Sequence, residues 1–131
     1  MKLEHLAIWV SDLEKSKTFY IKYFNMLSNE KYQSSRHTFS SYFLTFPQEN
    51  SARIELMQRP DVQPNESKER GMIGGYAHIA ISVGSKQKVD LLTDLIRTDG
   101  YTVVGEPRTT GDGYYESIVE DNEGNWIEIT I

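Results

Sequence analysis

Two histidines and two glutamates are the residues of this chain whose types and spacing could do chemistry together. His5 and His78 are 73 positions apart, and the same 73 positions separate Glu55 from Glu128. Each histidine therefore precedes its glutamate by 50 residues. Because independent structural residues need not keep such an offset, the pattern predicts one site assembled from two halves.

The four side chains offer nitrogen and oxygen donors, which suit borderline divalent metals. Zinc, nickel, cobalt, iron and manganese all fit this donor set. The two carboxylates would balance the charge of the ion, and open positions would remain for a small-molecule substrate with adjacent oxygens. A ligating glutamate that can leave the metal could also act as a general base.

The segments around these residues are repeated. Residues 3–10 resemble residues 76–83, and residues 53–56 resemble residues 126–129. The same order of strand, helix, strand, strand and strand is predicted twice. We therefore expect an α+β fold in which two βαβββ modules, 1–58 and 76–131, form a cupped eight-stranded mixed sheet. Residues 59–75 form the linker, and residues 1–131 are one domain.

Apolar periodicity gives the approximate positions of the elements. Eight strands are predicted, at 3–10, 30–34, 38–46, 51–58, 76–83, 101–105, 113–120 and 125–131, with a turn at 47–50 before the fourth. The first helix is predicted to start at Ser11, where Glu14 completes a capping box, and to keep Leu27 on its inner face. The second helix spans 86–98 and stops at Gly100.

Strand alternation indicates which side of each sheet carries the candidates. In each of the four strands one parity carries a run of aliphatic residues, such as Leu6, Ile8 and Val10 in the first. The candidate histidine or glutamate has the other parity, which it shares with a mixture of residue types. The aliphatic faces should pack under the helices. The candidates should therefore lie together on the more polar face.

Composition excludes several classes of function. The 131 residues include no cysteine, which removes disulfides and thiolate metal sites, and the net charge of −5 argues against nucleic-acid binding. Residues 1–70 carry 10 basic and 9 acidic side chains, whereas residues 71–131 carry 4 and 10. No apolar run suits a membrane span and no signal peptide is evident. A cytoplasmic protein is expected.

A structural role for the same residues is the alternative at this stage. A strand histidine is more often hydrogen-bonded than metal-bound, and Arg53 is available to pair with Glu55. The matched offsets favour ligation of a metal by the quartet. His37 has no partner in the repeat, and its polar neighbours predict a turn, so it is left out of the site.

The chain resembles the vicinal-oxygen-chelate superfamily and, within it, the glyoxalase I branch. The resemblance covers nearly the whole sequence. It is carried by residues 5–20 (HLAIxVxDLxxSxxFY), residues 75–80 (GYAHIA) and residues 119–129 (VEDNEGNWIEI). The last segment is similar to a family turn before the closing strand, in which Gly124 would adopt a positive φ.

The resemblance implies paired βαβββ modules and a homodimer, in which His5 and Glu55 of one chain meet His78 and Glu128 of the other. It implies glyoxalase I chemistry, in which the hemithioacetal of a 2-oxoaldehyde and a thiol becomes a 2-hydroxyacyl thioester through an enediolate, as in methylglyoxal detoxification. It assigns all four residues as metal ligands, with Glu128 as the favoured base and Glu55 as its counterpart.

The sequence also departs from the glutathione-dependent members of this branch. They carry an arginine where Trp9 stands and an asparagine near the place of Arg59, so the thiol is left open. We take Trp9 and Arg59 as candidate substrate-binding residues. A related metal-dependent epimerase carries glutamine in place of Glu55, so Glu55 favours glyoxalase I. A metal-free binding or drug-resistance module of the same fold is the other alternative.

Overall fold

A computed structural model describes residues 1–48, 51–67 and 70–131 of the chain. It divides into two compact units, Met1–Pro64 (unit 1) and Asn65–Ile131 (unit 2). The boundary falls inside the predicted linker. Residues 49 and 50 of the predicted turn and residues 68 and 69 of the linker lie outside the described residues.

Unit 1 contains one helix and five strands within the described ranges. They are β1 (His5–Trp9), α1 (Leu13–Phe24), β2 (Leu27–Ser28), β3 (Tyr32–Gln33), β4 (Ser40–Thr45) and β5 (Arg53–Gln58). The strand order is β1-β5-β4-β2, and β3 also pairs with β4. β1 runs parallel to β5, and the other pairs are antiparallel.

Unit 2 begins with a short 3₁₀ helix at Arg70–Met72 and then has the same order with one strand fewer, because two short strands in unit 1, β2 and β3, correspond to a single strand in unit 2. Its elements are β6 (Ile79–Ser82), α2 (Lys86–Thr98), β7 (Val103–Thr109), β8 (Tyr115–Glu120) and β9 (Trp126–Thr130). The strand order is β6-β9-β8-β7, with β6 parallel to β9. The α+β class and the βαβββ order are confirmed. Within the described residues the hydrogen bonds form two sheets, where a single eight-stranded sheet was expected.

The helix termini follow capping chemistry, with one correction at the start of α1. Asp12, not Ser11, is its N-cap, because the Asp12 carboxylate accepts a hydrogen bond from the backbone N–H of Lys15 at 2.9 Å. The helix also ends earlier than predicted. Asn25 adopts a left-handed conformation, so Leu27 belongs to β2 and is exposed.

The predicted bounds of α2 are confirmed at both ends. The Ser85 hydroxyl caps it by accepting the N–H of Lys88 at 3.3 Å, and Gly100 follows with φ +89°. A glycine tolerates this conformation because it has no Cβ. The sequence therefore fixes where this helix begins and where it stops.

The predicted division of each sheet into two faces is also confirmed. On the aliphatic face, Ile54, Leu56, Ile127 and Ile129 are buried. Both helices pack against strands of their own unit. Burying each large apolar side chain contributes roughly 1.5–3 kcal/mol, so the aliphatic faces fix which residues remain on the opposite side. No helix among the described residues has the length and apolar character of a membrane span.

Candidate functional site

In unit 1 the sheet brings His5 and Glu55 together. His5 is the first residue of β1, and Glu55 lies in β5 directly opposite Ala7. His5 Nε2 lies 3.7 Å from Glu55 Oε2. The side chains are 37% and 15% exposed, so the pair is reachable from solvent but the carboxylate is largely enclosed.

In unit 2 the same arrangement recurs with His78 and Glu128. Their Nε2 and Oε2 atoms are 3.1 Å apart, and the side chains are 35% and 16% exposed. His78 lies one residue before β6, so the prediction that it falls inside a strand is wrong. The parallel pairing of β6 with β9 still places it beside Glu128, because Ile79 pairs with Ile127.

Glu4 orients the imidazole of His5. Its carboxylate accepts hydrogen bonds from His5 Nδ1 and from the guanidinium of Arg53. Arg53 lies 4.1 Å over the ring of Phe43, and the His5 ring meets Phe43 edge-on at 5.4 Å. Because Nδ1 is hydrogen-bonded to a carboxylate, Nε2 faces Glu55 and is the nitrogen that could bind a metal ion. Sequence reasoning named Arg53 only as a partner available to Glu55 in the structural alternative, and it missed Glu4.

Glu128 lies among other carboxylates. Its pKa is raised, first by burial and then by the negative charge of Glu116, and the neighbouring Asp112 acts in the same direction. His78 opposes this by favouring the charged form. Glu116 also pairs with Arg108 at 3.4 Å. Sequence reasoning missed Glu116, whose approach to Glu128 depends on the register of β8 against β9.

A tight turn precedes the strand that carries Glu128. Asp121 accepts the backbone N–H groups of Glu123 and Asn125 at 2.8 and 2.9 Å, and Gly124 has φ +80°. The predicted positive φ of Gly124 is confirmed. The turn therefore fixes the start of β9 and the register of Glu128.

Part of the predicted linker packs onto the beginning of β9. Arg70 Nη1 donates to Asn125 Oδ1 at 3.2 Å. A Cβ built on Gly71 would lie 2.0 Å from Trp126 Cε3, so Gly71 permits backbone to press against the indole. Arg70 and Gly71 of the predicted linker thus pack with the start of β9 in unit 2.

The two candidate substrate-binding residues have different surroundings. Trp9 ends β1 on the same face as His5 and is 42% exposed. Arg59 follows β5, and its guanidinium is bonded to the Asp61 carboxylate at 2.8 and 2.6 Å. Trp9 is thus available for contact, whereas Arg59 is already engaged with an acid.

Each half brings together one imidazole nitrogen and one carboxylate oxygen, which are donor types that suit a divalent ion. Ligands bound at 2.0–2.2 Å to one ion in neighbouring positions lie about 3 Å apart, close to the separations of the two histidine–glutamate pairs. Across residues 1–48, 51–67 and 70–131, no three His, Cys, Asp or Glu side chains form a group that could hold a metal. The geometry thus supplies two ligand pairs, and their union in one centre stays a prediction.

Solved structures with the same fold include glyoxalase I enzymes. Glyoxalase I of Leishmania major is 25% identical, with a TM-score of 0.77 over 99% of this chain and 86% of that one. Glyoxalase I of Zea mays is 23% identical, with a TM-score of 0.80 over 98% of this chain and 44% of the maize chain. The maize similarity shows the fold alone.

Sequence relatives lead to the family. An uncharacterised Bacillus subtilis protein, YwkD, is 37% identical over 76% of this chain and 80% of its own length. The lactoylglutathione lyase of Arabidopsis thaliana is 30% identical over 95% of this chain but only 42% of its own length. The profile of the Glyoxalase/Bleomycin resistance protein/Dioxygenase superfamily matches residues 2–129. The chain therefore belongs to that superfamily.

Proposed function

We propose that this protein is a metal-dependent lyase of the glyoxalase I type. Its substrate would be the hemithioacetal of a 2-oxoaldehyde and a thiol, and its product the 2-hydroxyacyl thioester. The observation that carries the proposal is the repeated pairing of a histidine with a glutamate, in matching registers of two sheets. Methylglyoxal is the first 2-oxoaldehyde to test, consistent with a detoxifying role in the cytoplasm.

We assign metal binding to His5, Glu55, His78 and Glu128, with nickel or zinc as the expected ion. The bound ion would supply Lewis-acid stabilisation of negative charge on two adjacent substrate oxygens. We also propose a homodimer, and its assembly is testable by sedimentation.

The reaction is an isomerisation, so no oxidant or reductant is needed. A base removes the proton from the carbon that bears sulfur and hydroxyl, leaving an enediolate, and a proton is returned to the neighbouring carbon. The hydroxyl proton moves to the second oxygen, which balances the atoms. We assign the proton transfer to Glu128, which the family resemblance favours as the base and whose side chain, at 16% exposed, is largely shielded from water.

Metal content per chain, measured by mass spectrometry before and after reloading with nickel or zinc, tests this proposal. We expect about one ion per chain in the wild type and its loss in His5→Ala and His78→Ala. His37→Ala is the matched control, because His37 lies in a turn between β3 and β4, outside the strands that carry His5 and Glu55. Absence of metal under every loading would leave a metal-free binding module as the better interpretation.

A bound ion should also stabilise the fold. At 100 times its dissociation constant, an ion that binds only the native state adds about 2.7 kcal/mol. Thermal unfolding with and without EDTA measures this effect. An unchanged transition would count against metal binding.

A further inference from the structure

An aromatic platform lies beyond the His5–Glu55 pair on the same face of unit 1. It consists of Trp9, Met57, Tyr32 and Phe39. Trp9 is opposite Met57, Met57 is opposite Ser41, and Ser41 is opposite Tyr32, so these positions form one row across four strands. Strands lie about 4.8 Å apart, so the row extends roughly 14 Å.

Phe39 connects the two ends of this row. Its ring meets the Trp9 ring at 6.3 Å and an angle of 88°, and it meets the Tyr32 ring at 6.0 Å and 56°. Trp9 is 42% exposed and Tyr32 is 56% exposed. Apolar ring surface is therefore presented to solvent in a fixed arrangement.

The platform is continuous with the proposed site. Met57 is two residues beyond Glu55 in β5, and Trp9 is four residues beyond His5 in β1. At about 3.3 Å per residue, these steps correspond to roughly 7 and 13 Å. If the reacting carbons of a substrate lie at the His5–Glu55 pair, a substituent of a few atoms on that substrate would reach the platform. We call this substituent the arm.

The charge of this face indicates what kind of arm it would accept. On the side of the unit 1 sheet that carries His5 and Glu55, Arg53 is the one lysine or arginine among the described strand residues. It is bonded to Glu4 and lies over Phe43. Arg59, beyond the end of β5, is paired with Asp61. Neither guanidinium is free to anchor a carboxylate at the Trp9 end, whereas aromatic rings pair well with other rings.

We propose that the platform binds an uncharged aromatic or other apolar arm of the substrate adduct, with Trp9 as the residue that sets this specificity. The inference rests on the proposed function for the position of the reacting end. It differs from recognition of a carboxylate, for which a free cation would be required at this place.

Two probes with the same chelating end isolate the contribution of the arm. They are 2-hydroxy-4-phenylbutanoate and 2-hydroxybutanoate, which differ only in the phenyl group. We expect the phenyl probe to bind the zinc-loaded protein about tenfold more tightly by calorimetry. This preference should disappear in Trp9→Ala and persist in Tyr114→Ala, an aromatic control of similar exposure to Tyr32 that is carried by unit 2.

Trp9→Arg sharpens the test. This variant should prefer 2-hydroxyhexanedioate, whose arm ends in a carboxylate, over the phenyl probe. Equal affinity of the wild type for the first two probes would overturn the proposal. A Trp9→Ala variant that still prefers the phenyl probe would also overturn the proposal. The same holds if Trp9→Ala dissociates a dimer in sedimentation but leaves the preference for the phenyl probe unchanged.

A second readout separates this inference from the metal proposal. In metal-free, ¹⁵N-labelled protein, the phenyl probe should shift the indole N–H signal of Trp9 more than that of Trp126, which is covered by Gly71. If the Trp9 signal shifts in a protein that binds no metal under any loading, the platform proposal is supported and the lyase proposal is rejected. If the protein binds metal but the phenyl probe leaves the Trp9 signal unchanged, the lyase proposal is kept and the platform proposal is rejected.

Discussion

In unit 1 the residue two places before the glutamate is Arg53, whereas in unit 2 the corresponding residue is Trp126. Arg53 is bonded to Glu4, which in turn holds His5. Trp126 is pressed against Gly71. The two units thus position the same pair of side chains by different means, one by a chain of charged hydrogen bonds and the other by packing.

The surroundings of the two glutamates differ in the same way. Phe43 is the cross-strand neighbour of Glu55, and an aromatic platform continues beyond it. Glu128 is accompanied by Glu116 and Asp112, which help to raise its pKa. The two units therefore share the histidine–glutamate pair but differ in the residues that surround it. Under the proposed function, unit 2 would provide proton transfer and unit 1 would provide substrate recognition.

The largest effect should come from exchanging each glutamate for glutamine. Glu128→Gln removes the proposed base and should lower kcat by about 10²–10⁴-fold. Glu55→Gln should lower kcat less, because glutamine keeps an oxygen donor and the proton is assigned to the other side. Steady-state kinetics with methylglyoxal and a thiol measure both. Equal losses, or a larger loss in Glu55→Gln, would contradict the division of roles.

Packing in unit 2 is tested by Gly71→Ala. The added Cβ would lie 2.0 Å from Trp126 Cε3, so ring and backbone must move apart. We expect the free energy of unfolding to fall by about 1–3 kcal/mol, as measured by urea denaturation. Gly74→Ala is the control, because a Cβ there meets nothing within 4 Å. If both variants behave alike, the contact with Trp126 has no role in holding β9.

The hydrogen-bonded chain in unit 1 is tested by Glu4→Ala. Without this carboxylate the His5 ring loses the partner of Nδ1, and zinc affinity should fall about tenfold. Competition with a chelator of known affinity gives the dissociation constant. Glu30→Ala, another exposed acid in unit 1, should bind zinc as the wild type does. Unchanged affinity in Glu4→Ala would show that Arg53 and Phe43 suffice to orient the ring.

A smaller effect is expected on the helix side of unit 1. A bond to Lys17, with further bonds from Tyr42 and Lys31, lowers the pKa of Glu14 from 4.5 to about 2. As the pH falls, the Glu14 carboxylate is therefore protonated in the unfolded chain before it is protonated in the folded one. Its contribution to the free energy of unfolding is present above pH 4.5 and is lost toward pH 2.

Glu14→Gln removes this dependence. Because the Glu14 side chain is more than half exposed and screened by solvent, the difference should be only about 1 kcal/mol. Between pH 5 and pH 2, the free energy of unfolding should fall more steeply for the wild type than for the variant. This difference between the two proteins should be smaller at 1 M salt. Parallel curves at low salt would exclude the predicted contribution.

Much of the local structure could be predicted because its signals lie close together in the chain. Apolar periodicity and the two flanking residues Ser85 and Gly100 were enough to bound α2. The first helix was harder. Ser11 and Asp12 are both good caps, and their choice depends on which side chain meets a free N–H.

The candidate site divides along the same line. The sequence by itself determined the four proposed ligands, because duplication marks them at a constant offset, and it determined the face they share, because strand side chains alternate. Only the tertiary structure decided that Glu4 holds His5, that Glu116 lies beside Glu128, and that Trp9, Met57 and Tyr32 form one row. The last two arrangements depend on the register between strands, which is set by packing across the whole sheet and leaves no mark at a fixed sequence spacing. Glu4 is adjacent to His5 in the sequence, but the direction of its carboxylate is decided by the fold.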